Sequence, residues 1–334
     1  MKFLKSLDRL RSRVLDEVSF AGIHVLHMRH DLEKDFRDRF LKYVEQWRGA
    51  SVDDYYKAPG WVPDWRLKDD RRLILPSPLK SGFSENDVAH YDLFPCGQGW
   101  KGRTMLIAHG LMSVSDYGYR HWARKLNACG WNAIFIHLPY HYARRPRGFW
   151  TGELAVTPDL IRNVEGMRQC VIELRALCKW LRDQGSEEIG GWGMSYGGWV
   201  MSILAAVERG MSCMILVEPM INVESGTWSS PASRVIQRKL RAVGVDVEDA
   251  RPHFRLCCPR YMDLKCVSEN VLLLSGEYDV MTPAKEIRDL HLLWKGSHYF
   301  SFPQGHVGYL LMRESFRLAR QLWPHLWTDM EVRS

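Results

Sequence analysis

A serine, an acidic residue and a histidine follow separate apolar stretches of the chain, in that order. Ser195 lies at the centre of Gly193-Met194-Ser195-Tyr196-Gly197, between an apolar stretch that begins at Ile189 and a segment compatible with a helix. The two glycines leave room for a serine at the tip of a sharp turn, where larger side chains would collide with the strand or the helix. This setting is typical of a nucleophile, so the pattern predicts that Ser195 attacks an electrophilic carbon.

The candidate acid and base lie in two loops further along the chain. Asp279 follows the apolar stretch 271–275, which predicts a buried strand, and Pro283 then favours the start of a helix. His306 follows the predicted strand 298–302. A histidine oriented by a carboxylate can take the proton of a serine hydroxyl. The three residues together therefore predict nucleophilic catalysis on a carbonyl group.

A second carboxyl group is an alternative acid. Glu218 follows the strand predicted over residues 212–217, and an acid at the end of that strand could also reach a histidine. Asp279 is favoured because it ends a Gly-x-x-Asp turn, whereas Glu218 leads straight into Pro219 and a long connection. The sequence does not decide whether Asp279 or Glu218 is the acid.

The order of these motifs resembles that of the α/β-hydrolase superfamily, over roughly residues 90 to 325. The turn His109-Gly110-Leu111, after a predicted strand, resembles the turn that supplies one backbone N–H of the oxyanion hole in that superfamily. The resemblance implies that the N–H groups of Leu111 and Tyr196 form the hole, and that His109 packs the turn. Gly197-Gly198 resembles the branches that hold acetyl esterases, dienelactone-hydrolase-like enzymes and prolyl oligopeptidases.

The spacing of apolar residues predicts the alternating strands and helices of a doubly wound, mostly parallel α/β sheet. Strands are expected over 72–75, 89–94, 103–108, 131–138, 188–193, 212–217, 271–275 and 298–302, and helices over 119–129 and 164–183. The first two strands are expected to pair antiparallel.

The domain organisation follows from charge density and loop lengths. Residues 1–65 are predicted to form a helical N-terminal extension, and residues 66–334 a catalytic domain. The stretch of about 219–270 is too long for a plain connection between strands and predicts a cap insertion. Residues 3–18 carry apolar residues at helical spacing, which favours a helix docked on the domain or on a second subunit, with a membrane surface as the alternative. Docking on a second subunit would make the protein a homo-oligomer, and the sequence does not decide this.

The loop that starts at Pro139 holds the candidate substrate-binding residues. Arg144, Arg145 and Arg147 follow a predicted strand and could pair with a carboxylate or phosphate on a substrate, beside the aromatic Tyr140. They predict an ester substrate with a negative charge near the acyl group. A solvated loop without function is the alternative.

Composition excludes several classes of protein. The formal charge of +7 is spread along the chain, which argues against a nucleic-acid partner, and no apolar run approaches the ~20 residues of a membrane span.

The match to G-x-G-x-x-G at 97–102 is followed by a predicted strand instead of a helix, so a turn is favoured over a dinucleotide site. Eight cysteines without metal-binding spacing and a charged start without a signal sequence favour a cytoplasmic protein. Neither a cofactor nor a metal is expected.

The residues predict acyl transfer to water by a serine hydrolase that cleaves a small-molecule carboxylic ester. Acyl transfer to another acceptor and peptide cleavage on the same triad are alternatives, as is a non-catalytic binding protein with the same fold. Prolyl-oligopeptidase-like enzymes usually carry a large N-terminal propeller, and nothing before residue 66 is long enough to form one. An esterase is therefore favoured over a peptidase.

Overall fold

A mostly parallel sheet of nine strands runs through the described residues, 2–97 and 99–327, of this computed structural model. Side chains are described from residue 8 onwards. The strands are β1 (Arg66–Lys68), β2 (Arg72–Pro76), β3 (Val88–Phe94), β4 (Gly102–Ala108), β5 (Trp131–His137), β6 (Ser186–Met194), β7 (Cys213–Val217), β8 (Val271–Gly276) and β9 (His298–Phe302). Their order is β1-β2-β3-β5-β4-β6-β7-β8-β9. Pairing is antiparallel as far as β3–β5 and parallel from β5 onwards, which confirms the predicted fold class.

Helices cover both faces of the sheet. They are α1 (Lys2–Met28), α2 (Phe36–Gln46), α3 (Val52–Tyr55), α4 (Tyr117–Ala128), α5 (Leu160–Asp183), α6 (Tyr196–Val207), α7 (Val223–Trp228), α8 (Arg234–Ala242), α9 (Val247–Ala250), α10 (Phe254–Cys257), α11 (Ala284–Leu293) and α12 (Leu310–Leu322). Successive side chains of a strand point to opposite faces. Accordingly, Leu106 packs in the core that includes α5 and α6, whereas Ile107 packs in the core that includes α4 and α12.

Local signals explain two differences from the prediction. Helix α5 begins at Leu160 instead of 164 because the Asp159 side chain accepts a hydrogen bond from the Arg162 N–H and so caps the first turn. Strand β1 was not predicted, since its three residues are all exposed and give no apolar alternation.

Residues 2–65 contain the helices α1, α2 and α3, and part of this segment shares the core of the sheet. Phe36, Phe40 and Val44 of α2, together with Tyr55 and Tyr56, lie in the same buried cluster as the residues of α5 and α6. The proposed boundary at residue 65 therefore crosses a continuous hydrophobic core. It stays a prediction.

Helix α1 docks on the rest of the protein through a face that the apolar spacing did not predict. Val14 and Val18 are 56% and 68% exposed, whereas Ser12, Asp16 and Phe20 are buried. The side chains of Phe3, Leu4 and Leu7, which belong to the same predicted stripe, lie outside the described residues. The outward stripe is thus not the contact with the domain, and within the described part of the chain no helix has the length and hydropathy to cross a membrane.

The stretch between β7 and β8 contains four short helices, α7 to α10. Residues from this stretch, among them Ile236, Leu240 and Phe254, are buried in the core cluster that also holds α2 and α5. The stretch therefore packs close to α2. Its description as a cap of residues 219–270 remains a proposal.

Candidate active site

Ser195 lies on a strained turn between β6 and α6. Its backbone has φ 53° and ψ −112°, a conformation that residues with a side chain rarely adopt. The turn is tight because the neighbouring backbone is close: a Cβ atom on Gly197 would lie 2.4 Å from the Ala108 carbonyl oxygen, and one on Gly193 would lie 2.4 Å from the Gly197 carbonyl oxygen. Both positions therefore require glycine.

The structure brings Ser195, His306 and Asp279 into one hydrogen-bonded relay. The Ser195 Oγ atom lies 2.8 Å from His306 Nε2, and His306 Nδ1 lies 2.8 Å from Asp279 Oδ2. A carboxylate can only accept, so the Nδ1 atom carries the proton and Nε2 is left with a lone pair. In this tautomer the Ser195 hydroxyl donates to Nε2. These are the three residues that the sequence singled out.

Four polar contacts fix the orientation of Asp279. The Thr282 hydroxyl donates to Asp279 Oδ2 at 2.5 Å, and the backbone N–H groups of Met281 and Thr282 donate to Oδ1 at 2.7 and 2.9 Å. With the His306 bond, every acceptor site of this buried carboxylate faces a donor. Thr282 was read in the sequence only as the start of a helix.

Burial and charge act in opposite directions on His306. Desolvation of the ring alone would lower its pKa, but the hydrogen bond and charge of Asp279 and the charge of Asp16 raise the pKa of His306 above its ordinary value. The surroundings therefore stabilise the imidazolium, which is the form that a general base takes after it has accepted a proton.

Glu218, the alternative acid, lies close by but makes no hydrogen bond to His306. Its carboxyl group is fully buried and neither oxygen has a hydrogen-bond partner among the described residues. Burial and the nearby charges of Asp279 and Asp16 raise the pKa of Glu218 well above its ordinary value, which favours the neutral acid. The geometry supports Asp279, and not Glu218, as the partner of the imidazole.

Distance alone would also allow these groups to hold a cation. One ligand atom each of Glu218, Asp279 and His306 lie within 4.8 Å of one another. A cation bound through Nδ1 of His306 would displace the proton shared with Asp279, and one bound through Nε2 would remove the acceptor of the Ser195 hydroxyl. A metal centre and the relay therefore exclude each other.

The two N–H groups expected to form an oxyanion hole flank Ser195. Tyr196 is the first residue of α6, where backbone N–H groups have no partner within the helix. Leu111 lies in the turn after β4, and that turn is close to the nucleophile, since a Cβ atom on Gly110 would be 3.9 Å from Ser195 Cβ. The roles of Leu111 and Tyr196 stay a prediction.

His141 braces the same turn, and sequence reasoning passed over it. Its Nδ1–H donates to the Pro139 carbonyl at 2.8 Å, which leaves Nε2 to accept the backbone N–H of Met112 at 3.1 Å. Met112 follows Leu111 directly. No signal in the sequence distinguishes His141 from the other histidines, because its function depends on a contact between two loops.

The structure corrects the prediction for Arg144 and Tyr140. The Arg144 guanidinium is 1% exposed and donates to both carboxylate oxygens of Glu173 on α5, at 2.7 and 3.0 Å, and to the Asn86 carbonyl at 2.7 Å. Tyr140 is 2% exposed. Both residues hold the loop to the core, because a buried guanidinium requires a fixed anionic partner. Arg145 is exposed, and nothing in the described structure ties it to the relay.

An apolar cavity of about 80 Å³ lies between α7–α10, the start of α5 and the first turns of α6. Its walls include Phe40, Leu160, Trp199, Met220 and Phe254. The cavity includes no residue of the relay, but Trp199 and Met220 in its walls contact the turn of the nucleophile, since their backbone N–H groups donate to the Ser195 carbonyl at 2.9 and 3.4 Å. A larger depression of about 580 Å³ lies between α4 and α12 and includes no residue of the relay.

Comparison with known proteins identifies the fold. No protein-family model matches the chain. It is similar to an acetyl xylan esterase from Paenibacillus sp. R4, with a TM-score of 0.56 and 15% identity over 86% of this chain and 95% of that chain. Acetyl xylan esterase 1 from Thermoanaerobacterium sp. JW/SL YS485 gives the same TM-score and identity over 88% and 94%. The protein has the α/β-hydrolase fold.

Further matches extend the comparison to one peptidase and to two curated proteins. A puromycin-hydrolyzing peptidase of Mycobacterium tuberculosis has a TM-score of 0.54 and 15% identity, over 79% of this chain and 38% of that chain. In sequence, the uncharacterized proteins MT2702 and Rv2627c of Mycobacterium tuberculosis are each 27% identical over 203 residues. The match covers 57% of this chain and 46% of each relative, so the chain spans about half the length of the curated relatives it matches.

Proposed function

We propose that the protein is a serine hydrolase that cleaves a carboxylic ester through an acyl-enzyme. The relay of Ser195, His306 and Asp279, with two hydrogen bonds of 2.8 Å, carries this proposal. A serine hydroxyl is a weak nucleophile until a base removes its proton, and here the base is already within hydrogen-bond distance and in the required tautomer. The strained position of Ser195 is the usual setting of such a nucleophile in this fold.

In the first half of the proposed reaction, Ser195 Oγ attacks the carbonyl carbon of the ester as its proton passes to His306 Nε2. Asp279 stabilises the resulting imidazolium and keeps the ring in place. The carbonyl oxygen becomes an oxyanion, and the N–H groups of Leu111 and Tyr196 are its proposed donors. His306 then gives its proton to the leaving alcohol as the C–O bond of the ester breaks.

In the second half, water replaces the alcohol. His306 takes a proton from the water, whose oxygen forms a bond to the acyl carbon, and the Ser195 oxygen leaves with that proton. Acid and free enzyme are the products, and every proton is accounted for without a cofactor. A different acceptor in place of water would make the same site a transferase.

We propose that the apolar cavity beside Trp199 and Met220, next to the Ser195 turn, holds a short, neutral acyl group. An engineered apolar cavity of about 150 Å³ admits benzene, so a cavity about half that size fits a shorter aliphatic chain. Since Arg144 is bound to Glu173, it cannot pair with a substrate carboxylate, and the preference for an anionic ester is not proposed further.

The similar solved structures are consistent with this range of chemistry. Two are acetyl xylan esterases and one is a puromycin-hydrolyzing peptidase. At 15% identity they carry the fold alone. They indicate which substrate classes to compare: short esters first, amides second.

The test is labelling with a fluorophosphonate probe, followed by turnover of neutral esters of increasing acyl length. We expect the native protein to react with the probe and to prefer short acyl chains. Ser195→Ala should lose both activities. Ser229→Ala, which removes an exposed serine hydroxyl elsewhere, is the matched control and should retain both.

The outcomes separate the alternatives. Probe labelling without ester turnover would favour the transferase or the peptidase. A native protein that the probe does not label, or a Ser195→Ala variant labelled at the native rate, would contradict the proposal.

A further inference from the structure

Helix α1 reaches across the molecule and contacts the loop that carries His306. The Asp16 carboxylate accepts the backbone N–H of His306 at 3.3 Å through Oδ2 and that of Val307 at 3.2 Å through Oδ1. The Ser12 hydroxyl accepts the N–H of Gly305 at 3.1 Å. Three consecutive backbone donors are thus satisfied by two side chains from one helix.

The sequence of the loop fits this approach of the helix. A Cβ atom on Gly305 would lie 2.8 Å from Ser12 Cβ and 3.0 Å from Asp16 Oδ2. Any larger residue would push α1 away from the loop. Asp16 is 1% exposed, so its carboxylate is committed to these contacts and does not interact with solvent.

Gln304, the residue before Gly305 in this loop, is held by hydrogen bonds to other parts of the protein. Upstream, the Gln304 carbonyl accepts the Tyr278 N–H at 3.0 Å, and the Gln304 side chain accepts the N–H groups of Leu310 and Leu311. These bonds fix Gln304 against the loop after β8 and the start of α12. The backbone of His306 itself is fixed only through α1 among the hydrogen bonds of the described residues.

Three carboxyl groups, from three different elements, face the imidazole. Asp279 is hydrogen-bonded to the imidazole, and Asp16 adds a second negative charge from the side of α1. The Glu218 carboxyl group is itself favoured in its neutral form, because its pKa is raised. Burial and the charge of Asp279 raise the pKa of Asp16 above its ordinary value, while the N–H groups of His306 and Val307 and the charge of His306 act in the opposite direction and limit the rise.

We propose that Asp16 is a positioning residue for His306: it fixes the backbone of the general base from a helix outside the hydrolase sheet and stabilises the imidazolium that forms when Ser195 is deprotonated. This inference rests on the function proposed above. It makes α1 a part of the catalytic machinery, although no atom of α1 is required to touch the substrate.

The test compares Asp16→Asn with Asp16→Glu and with the control Glu17→Gln, whose side chain is exposed on the same helix. Ester turnover is measured across pH, and the titration of the His306 ring is followed by NMR. Asp16→Asn should lower kcat by roughly 10- to 100-fold, because misplacement of a catalytic group by about 1 Å has effects of that size, with KM changed less than about threefold. Its His306 titration and the acid limb of kcat/KM should both move to lower pH.

The other variants separate charge from geometry. Asp16→Glu restores the charge and should return the acid limb towards the native position while kcat stays reduced. Ser12→Ala keeps the charge and should lower kcat severalfold without moving the acid limb. Glu17→Gln should match the native enzyme in all three measurements.

A loss of stability in Asp16→Asn with unchanged kcat per folded molecule and an unchanged His306 titration would overturn the proposal, since that is the result of a purely structural residue. If Asp16→Asn does not fold, Ser12→Ala decides: native kcat in that variant overturns it. If the native protein has no ester activity, the NMR titration still tests the contact between Asp16 and His306, so failure of the function and failure of this inference are distinguishable.

Discussion

The loop after β5 and the loop after β8 both carry a buried charge, but the two charges have different partners. Arg144, after β5, faces Glu173, which is a fixed anion, and the pair is complete as it stands. Asp279, after β8, faces His306, which can change its protonation state. A buried charge holds the fold when its partner is permanent, and it serves chemistry when its partner can gain or lose a proton.

The largest expected effect concerns the pair that can change its charge. Asp279→Asn removes the acceptor for Nδ1–H and favours the wrong tautomer of His306, so kcat should fall on the order of 10³- to 10⁴-fold. Stability should change far less, because the amide keeps the shape of the acid. Steady-state kinetics and thermal unfolding of the same preparation check both. A near-native kcat in Asp279→Asn would mean that the buried charge after β8 does not serve catalysis, and the two loops would then not differ in this respect.

The pair of Arg144 and Glu173 should show the opposite pattern, with a large effect on stability and a small effect on catalysis. Arg144→Ala leaves the Glu173 carboxylate buried without a partner and should lower the free energy of unfolding by about 3–5 kcal/mol. The ratio of kcat/KM for a neutral ester and its carboxylate-bearing analogue should stay unchanged at a temperature where the variant is folded. Denaturant unfolding and this ratio are the measurements.

A double variant provides the control for that pair. Arg144→Met with Glu173→Leu removes both charges and should be more stable than Arg144→Ala, since no buried charge is left unpaired. If instead Arg144→Ala is fully stable but selectively loses activity on the anionic ester, then the loop after β5 binds substrate and the comparison fails.

A smaller effect is expected from pH alone. His306 must be neutral to accept the proton of Ser195, and its pKa is raised above the ordinary value of about 6.5. The acid limb of kcat/KM should therefore have its midpoint above about pH 6.5, with activity lost as pH falls through it. A midpoint clearly below that value would mean that burial outweighs the two nearby carboxylates.

The smallest effect is expected at the alternative acid. Glu218 favours the neutral form, so Glu218→Gln replaces one neutral group by another of similar shape and should leave kcat within about threefold of the native value. Paired with Asp279→Asn, this variant tests the assignment of the acid. A strong loss here beside a mild loss at Asp279 would reverse it.

The sequence predicted the sheet and the relay because both have local signals. Strands β4 to β9 are apolar stretches bounded by turns, and the Ser195 turn needs its glycines wherever the rest of the chain lies. Three motifs in the right order then placed Ser195, Asp279 and His306 at the same edge of the sheet.

The remaining features depend on contacts between distant residues and leave no local signal. An arginine in a loop has the same appearance in sequence whether it faces solvent or Glu173, and only the packing of α5 under that loop decides. Asp16 was one of several charged residues on an amphipathic helix, and the exposed stripe of Val14 and Val18 pointed to the wrong docking face. Gly305 was a weak indication, since glycines are common in loops for other reasons.

The contact between Asp16 and His306 can form only late in the synthesis of the protein, because the two residues are 290 positions apart. At roughly 5–20 residues per second, a ribosome needs roughly 15 to 60 seconds to make the chain between them. During that time Asp16 and Ser195 have been made, but the base that both of them contact has not. The nascent chain therefore has its nucleophile but no general base until the loop at His306 emerges and contacts the first helix.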